Sequence, residues 1–180
     1  EAKRRAKLEG QGDLFAMFDA PTTASEPTAE PETVVEEVED IIGIRNIGNT
    51  PHDYRIIKDI NELREMCDYL SRFAEFCFDT ETTGFDIYSD RIVGLSLAIE
   101  PHEAWYVSFT PENTATFADI VRPLFEKESI AKVAQNMKFD IMVLARLGIE
   151  VKGRKIDTMI LHYLIDAESR HNMNYLAERY

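Results

Sequence analysis

Apolar residues at 60, 63, 66, 67 and 70 recur at three- and four-residue intervals, so INELREMCDYLSR predicts an amphipathic helix, with Asp59 as its N-cap. Ahead of it, YRII from Tyr54 reads as a short strand. Beyond it the period changes to two. EFCFDTET, RIVGLSLAIE and EAWYVSF read as strands, joined by loops short enough for antiparallel neighbours. TATFADIVRPLFEKE predicts a helix bent or interrupted at Pro123. IAKVAQN then reads as a buried strand, MKFDIMVLARLG as a helix closed by Gly148, and DTMILHYLIDA as a helix starting at Asp157. Three antiparallel strands followed by alternating helices and strands predict an α/β domain, a mixed sheet flanked by helices.

This pattern does not reach the first fifty residues. From Asp19 to Asp40 the chain reads DAPTTASEPTAEPETVVEEVED, rich in Pro, Thr, Ala and Glu and without an aromatic residue. Such a segment buries too little apolar surface to offset its ordering entropy, so residues 1–50 are expected to form a disordered or extended acidic linker and residues 51–180 the folded domain. A chain of 180 residues, 44% hydrophobic, has room for one core of ordinary size. It contains no apolar run near the roughly 20 residues that span a bilayer, and EAKRRAKLEG is no secretory signal, which predicts a soluble, cytoplasmic protein with no membrane partner. Cys67 and Cys77, without CxxC spacing, are expected to be core thiols in a reducing compartment.

The net charge of −13 argues against a broad basic face that would grip nucleic acid through its phosphates. Any such binding has to be local, and assisted by metal if carboxylates line the site.

FDTETTGFD places Asp79 and Glu81 inside a predicted strand, against the propensities of that structure. Alternation puts both on one face, about 6 to 7 Å apart, while Phe76, Phe78 and Thr80 point the other way. Two carboxylates this close repel, and burial would raise one pKa unless a cation intervened; Mg²⁺ or Mn²⁺, which prefer oxygen ligands, are the usual remedy. Taken alone, the triplet is better read as a wet strand end with solvated acids, since short acidic triplets are common. A third acid, Asp140, lies four residues after Asn136 on a predicted helix and is surrounded by Phe139, Ile141, Met142, Val143 and Leu144. A buried acid there needs a partner; the alternative makes Asn136 an N-cap and Asp140 a first-turn acid favoured by the helix dipole.

In order and spacing, FDTETTGFD, IVGLSLAIEP, VAQNMKFDIMVLARLGIEVKG, DTMILHYLI and HNMNYLAERY resemble the 3′-5′ proofreading exonuclease domain of bacterial family A DNA polymerases, over roughly Tyr54 to Tyr180. The resemblance implies a ribonuclease H-like fold and a member of the exonuclease superfamily with four acidic residues. Asp79 and Glu81 would be the acids of the first motif and Asp140 that of the second, together holding two divalent ions, Mg²⁺ or Mn²⁺. Thr80, Phe85, Gln135, Asn136 and Arg170 match positions near the substrate, Phe85 against the terminal base and Arg170 near the backbone. Two metals about 3.5 to 4 Å apart would serve an in-line displacement at phosphorus that releases a deoxynucleoside 5′-monophosphate. The implied substrate is a single-stranded or frayed 3′ end of DNA.

The family's third motif, Tyr-x3-Asp, has no match before Tyr180, from which we expect a fragment of a larger polymerase, impaired in isolation, whose polypeptide also carries polymerase and 5′-nuclease domains in a bacterial, nucleoid-associated setting. Two other readings stand beside the DNA exonuclease: a ribonuclease of the same superfamily trimming RNA 3′ ends, and a non-catalytic scaffold remnant. Separately, QGDLF, with Gln11, Leu14 and Phe15, resembles the short peptide by which bacterial replication proteins dock on the sliding clamp.

Overall fold

The computed structural model describes residues 47–180. The expected linker over 1–50 and the clamp-like residues Gln11, Leu14 and Phe15 lie almost wholly or wholly outside the described residues. Strands β1 (Asp53–Ile57), β2 (Glu75–Thr82), β3 (Ile92–Glu100), β4 (Glu103–Ser108), β5 (Ala131–Ala134) and β6 (Lys155–Asp157) form one sheet in the order β1-β4-β3-β2-β5-β6. The β2–β3 and β3–β4 pairs are antiparallel; β1–β4, β2–β5 and β5–β6 are parallel. The expected α/β fold with a mixed sheet is therefore present, and β2 lies where an antiparallel half meets a parallel one.

Five helices complete the described architecture: α1 (Ile60–Leu70), α2 (Thr114–Glu126), α3 (Met137–Arg146), α4 (Thr158–Ile165) and α5 (Met173–Arg179). In α1, Asp59 caps as expected by accepting from the backbone N–H groups of Asn61 and Glu62, and the helix buries Leu63, Met66, Cys67 and Leu70. Ile60, the fifth residue of the expected stripe, remains exposed. Against α2, the rings of Phe76 and Phe78 meet Phe125 edge-on at 5.3 and 5.1 Å, geometry that aromatic pairs favour. The interruption expected at Pro123 is absent: α2 runs through it, with Val121, Leu124 and Phe125 buried around it. Burial of those three side chains offsets the helix hydrogen bond that proline removes. Gly148 closes α3 with φ +73°, as expected of a residue that must enter the left-handed region.

Two expectations need correction. Cys67 is buried, but Cys77 is exposed, because it shares a face of β2 with Asp79 and Glu81 while the core lies on the Phe76, Phe78 and Thr80 face. The last strand, β6, has no counterpart among the expected strands, because with three residues it carries too little alternation to be recognised. Among the described residues, no helix is long and apolar enough to cross a membrane.

Candidate active site

β2 carries the first two acids. In the antiparallel register, Asp79 lies opposite Ser96, Glu81 opposite Gly94 and Cys77 opposite Ala98. Directly opposed residues share a face, so small side chains flank the acids on the β3 side. A Cβ on Gly94 would come within 2.2 Å of the Tyr106 hydroxyl, since that phenol lies over the glycine. On the other side, β5 pairs with β2 only from Glu75 to Cys77. Past that point the sheet opens, and α3, which follows β5, occupies the gap.

The opening is where Asp140 sits. Its side chain is buried, and its Oδ1 accepts two hydrogen bonds from Thr80, from the backbone N at 2.9 Å and from Oγ1 at 2.6 Å. Burial pushes the Asp140 carboxyl above its ordinary range, while the two Thr80 donors pull it back. Asp79 is driven up to about 6, first by burial and then by the charges of Asp140 and Glu81. Asp79 is thus half-buried beside two further acids and is not a fully solvated strand end. Glu81, by contrast, is exposed.

These groups line a cleft of about 420 Å³ together with Phe85, Gln135, Asn136 and Phe139. Phe85 is 93% exposed at its mouth, with its ring 6.4 Å from that of Phe139. The loop carrying Phe85 is tied down: Asp90 accepts from Thr83 Oγ1 and the Asp86 backbone N, and Arg146 of α3 donates to the carbonyls of Ile87 and Asp90. Thr80 lines the cleft too, yet its hydroxyl and N–H both serve Asp140. Gln135 is similarly engaged, donating to the His171 carbonyl at 2.6 Å and accepting from Thr158 Oγ1. Arg170 is exposed and is not among the residues lining the cleft, although its neighbour His171 is joined to Gln135.

Asn136 stands at the N-cap position of α3, but its side chain makes no capping bond and its backbone is left-handed, at φ 55° and ψ 42°. The cap comes from Asp157, whose Oδ1 accepts from Asn136 N at 3.1 Å and whose Oδ2 accepts from Met137 N at 2.8 Å. Sequence reasoning assigned Asp157 only to the start of α4, and missed Arg146 and Asp90 altogether. Arg146 acts through contacts distant along the chain, for which local spacing holds no signal, whereas the Asp90 carboxylate bonds to Thr83 and Asp86 lie within an irregular loop that has no period to mark them.

For a divalent cation the donor set has the right chemistry, three carboxylates with hard oxygens and mutual repulsion. As described, Asp140 turns one oxygen to Thr80, and no three His, Cys, Asp or Glu side chains among the described residues close into a ready-made metal cluster.

A mixed sheet with two acids on a central strand and a third on the facing helix defines a nuclease domain of the ribonuclease H-like class. The chain belongs to the 3′-5′ exonuclease family, whose model matches residues 54–180. It is 34% identical over 139 residues to DNA polymerase I of Pseudomonas aeruginosa, covering 71% of this chain and 15% of that protein. To DNA polymerase I of Rhizobium leguminosarum it is 36% identical over 153 residues, with the same 71% and 15% covered. The chain thus spans less than a fifth of the length of these curated relatives. Among solved structures, Escherichia coli RNase D, described as an exoribonuclease involved in structured RNA processing, superposes with a TM-score of 0.59 at 18% identity, covering 71% of this chain and 33% of that one. A Trypanosoma brucei RNase D complex with GMP gives 0.62 at 17%, covering 71% and 41%. At such identities the likeness is one of fold.

Proposed function

We propose that residues 51–180 are the proofreading exonuclease domain of a bacterial DNA polymerase I, removing deoxynucleoside 5′-monophosphates from a single-stranded or frayed 3′ end of DNA. The observation that carries this reading is the gathering of Asp79, Glu81 and Asp140 at one cleft, where burial first and the neighbouring carboxylates second lift Asp79 to about 6. Such repulsion is relieved by cations, and the family to which the chain belongs hydrolyses phosphodiesters. Asp79, Glu81 and Asp140 would hold two divalent ions, Mg²⁺ or Mn²⁺. When bound, such ions supply an activated water and stabilise the attacking and leaving oxygens at phosphorus.

The remaining work falls to the protein's own side chains. Phe85, exposed at the mouth, offers a face on which the terminal base can stack. Asn136 faces the cleft with an uncommitted amide, suited to the terminal sugar or base. Thr80 holds Asp140 in place, and Gln135 stiffens the adjoining turn. A single-stranded end suits a chain of this negative charge, because contact is confined to one cleft. DNA is favoured over RNA by the identity of 30% to 36% with DNA polymerases I, against 16% to 19% with the ribonuclease D and related nuclease structures. Cytoplasmic residence, a shared polypeptide with polymerase and 5′-nuclease domains, and an acidic linker over residues 1–50 belong to the same proposal.

The test is the Asp79→Ala variant of the full-length protein, assayed with Mg²⁺ on a 3′-labelled single strand and on a matched primer. Trimming should vanish while nucleotide addition persists. Undiminished trimming overturns the reading.

A further inference from the structure

We infer that Asp157 is a positioning residue for substrate: its carboxylate holds the Gln135–Asn136 turn in the conformation that presents Asn136 to the cleft. This rests on the proposed nuclease reading.

One carboxylate caps two helices. Asp157 ends β6, paired in register with Ala134 of β5, so its side chain arises beside the turn that leads from β5 into α3. Oδ1 accepts from Met159 N at 2.9 Å and Ile160 N at 3.3 Å, which starts α4. Bonds from Asn136 N to the same oxygen and from Met137 N to Oδ2 start α3. A cap for α4 alone needs only one acceptor oxygen.

The second set of bonds has a specific consequence. Asn136 is one of two non-glycine residues with positive φ among the described residues, a conformation that costs an ordinary side chain about 1 kcal/mol or more. The bonds to Asp157 hold it there. Because Asp157 supplies the cap, the Asn136 side chain is released from the role normally taken by an N-cap asparagine, and Asn136 is among the residues lining the cleft. Thr158, the residue after Asp157, holds Gln135 from the same side. Asp140, in the first turn of the same helix, has a second anchor in the two Thr80 donors. Loss of Asp157 should therefore release the substrate-facing turn and leave the acids in place, whereas a purely architectural cap would weaken everything together.

The experiment compares Asp157→Ser and Asp157→Asn with the unmodified full-length protein. Serine retains an acceptor for the start of α4 but is too short to reach α3; asparagine retains one oxygen and sets an amide group against Met137 N–H. For each, kcat and KM on a single-stranded 3′ end, Mn²⁺ affinity by calorimetry, and thermal stability are measured. Asp157→Ser should raise KM roughly tenfold or more, since small misplacements of positioning groups are costly. Its Mn²⁺ affinity should stay within about twofold, and Asp157→Asn should fall between serine and the unmodified protein. A folded Asp157→Ser with unchanged KM overturns the inference, as does a parallel loss of KM, kcat and Mn²⁺ affinity. If the serine variant does not fold, the asparagine variant decides by the same criteria. Failure of the unmodified protein to trim DNA would instead sink the nuclease reading.

Discussion

Thr80 and Asp140, sixty residues apart in the chain, are joined by two hydrogen bonds, from the Thr80 backbone N and from its hydroxyl to one carboxylate oxygen. Through this contact the helix-borne acid is keyed to the strand that carries the other two, at the point where β5 has ceased to pair with β2.

Thr80→Val should therefore act on the site through Asp140. It keeps the backbone bond and the shape but removes the shorter donor, leaving a buried carboxylate oxygen short of one partner, a loss of about 1 to 3 kcal/mol. Trimming should fall roughly tenfold or more, with Thr80→Ser close to normal. Single-turnover rates on a 3′-labelled strand, together with thermal melts, check both outcomes.

Asp79 makes the metal-free domain sensitive to pH. Its folded pKa of about 6 lies above the ordinary carboxylate value, so the folded state holds the proton more tightly. Its contribution to stability is therefore greatest at low pH, declines as pH rises through the window from about 4 to 6, and is flat above it. Because Asp79 is only partly buried, the change should be discounted to about 1 kcal/mol. Asp79→Asn should remove that slope. In the same variant, the pH dependence of Mg²⁺ binding near 6 should flatten; denaturant melts and calorimetry between pH 4.5 and pH 8 measure both.

Phe85→Ala should leave stability unchanged, because the ring is 93% exposed. Its effect should appear only with DNA: loss of one stacking platform is worth about 1 to 3 kcal/mol, so KM for a single strand should rise several-fold to a hundredfold. Equal KM values for variant and unmodified protein would remove Phe85 from the substrate.

Lys132 should be a stability residue with no part in catalysis. It is fully buried on β5, with Nζ donating to the carbonyls of Lys127 at 2.7 Å and Ile130 at 3.0 Å and lying 5.9 Å from the centre of the Phe76 ring. Lys132→Met fills the volume but strands two carbonyls, which should cost about 2 to 4 kcal/mol in a urea titration while kcat per folded molecule holds steady.

What was legible in the chain follows from which interactions are local. Asp79 and Glu81 stood out because carboxylates break a strand's alternation, and Asp140 because it interrupts an apolar helix face. Asp59 and Gly148 announced helix ends through bonds and dihedrals within a few residues. Asp157 was half legible: its bonds to Met159 and Ile160 are local, whereas those to Asn136 and Met137 exist only once β6 lies beside β5. Neither Thr80 as partner of Asp140 nor Arg146 as anchor of the Phe85 loop could be read, since both contacts cross more than fifty residues. Cys77 was misjudged because a strand's two faces look alike until one of them is covered.

The small residues opposite the acids bear on how such a domain could fall silent in evolution. Retained carboxylates are a poor guide to retained activity when Gly94 and Ser96 lie across from Glu81 and Asp79. One nucleotide change can turn glycine into alanine, and the added methyl would strike the Tyr106 phenol and push it from its seat. A change on the neighbouring strand could thus rearrange the face beside Glu81 while every acid is kept, so the side chains to inspect first in a silent relative include those opposite the acids.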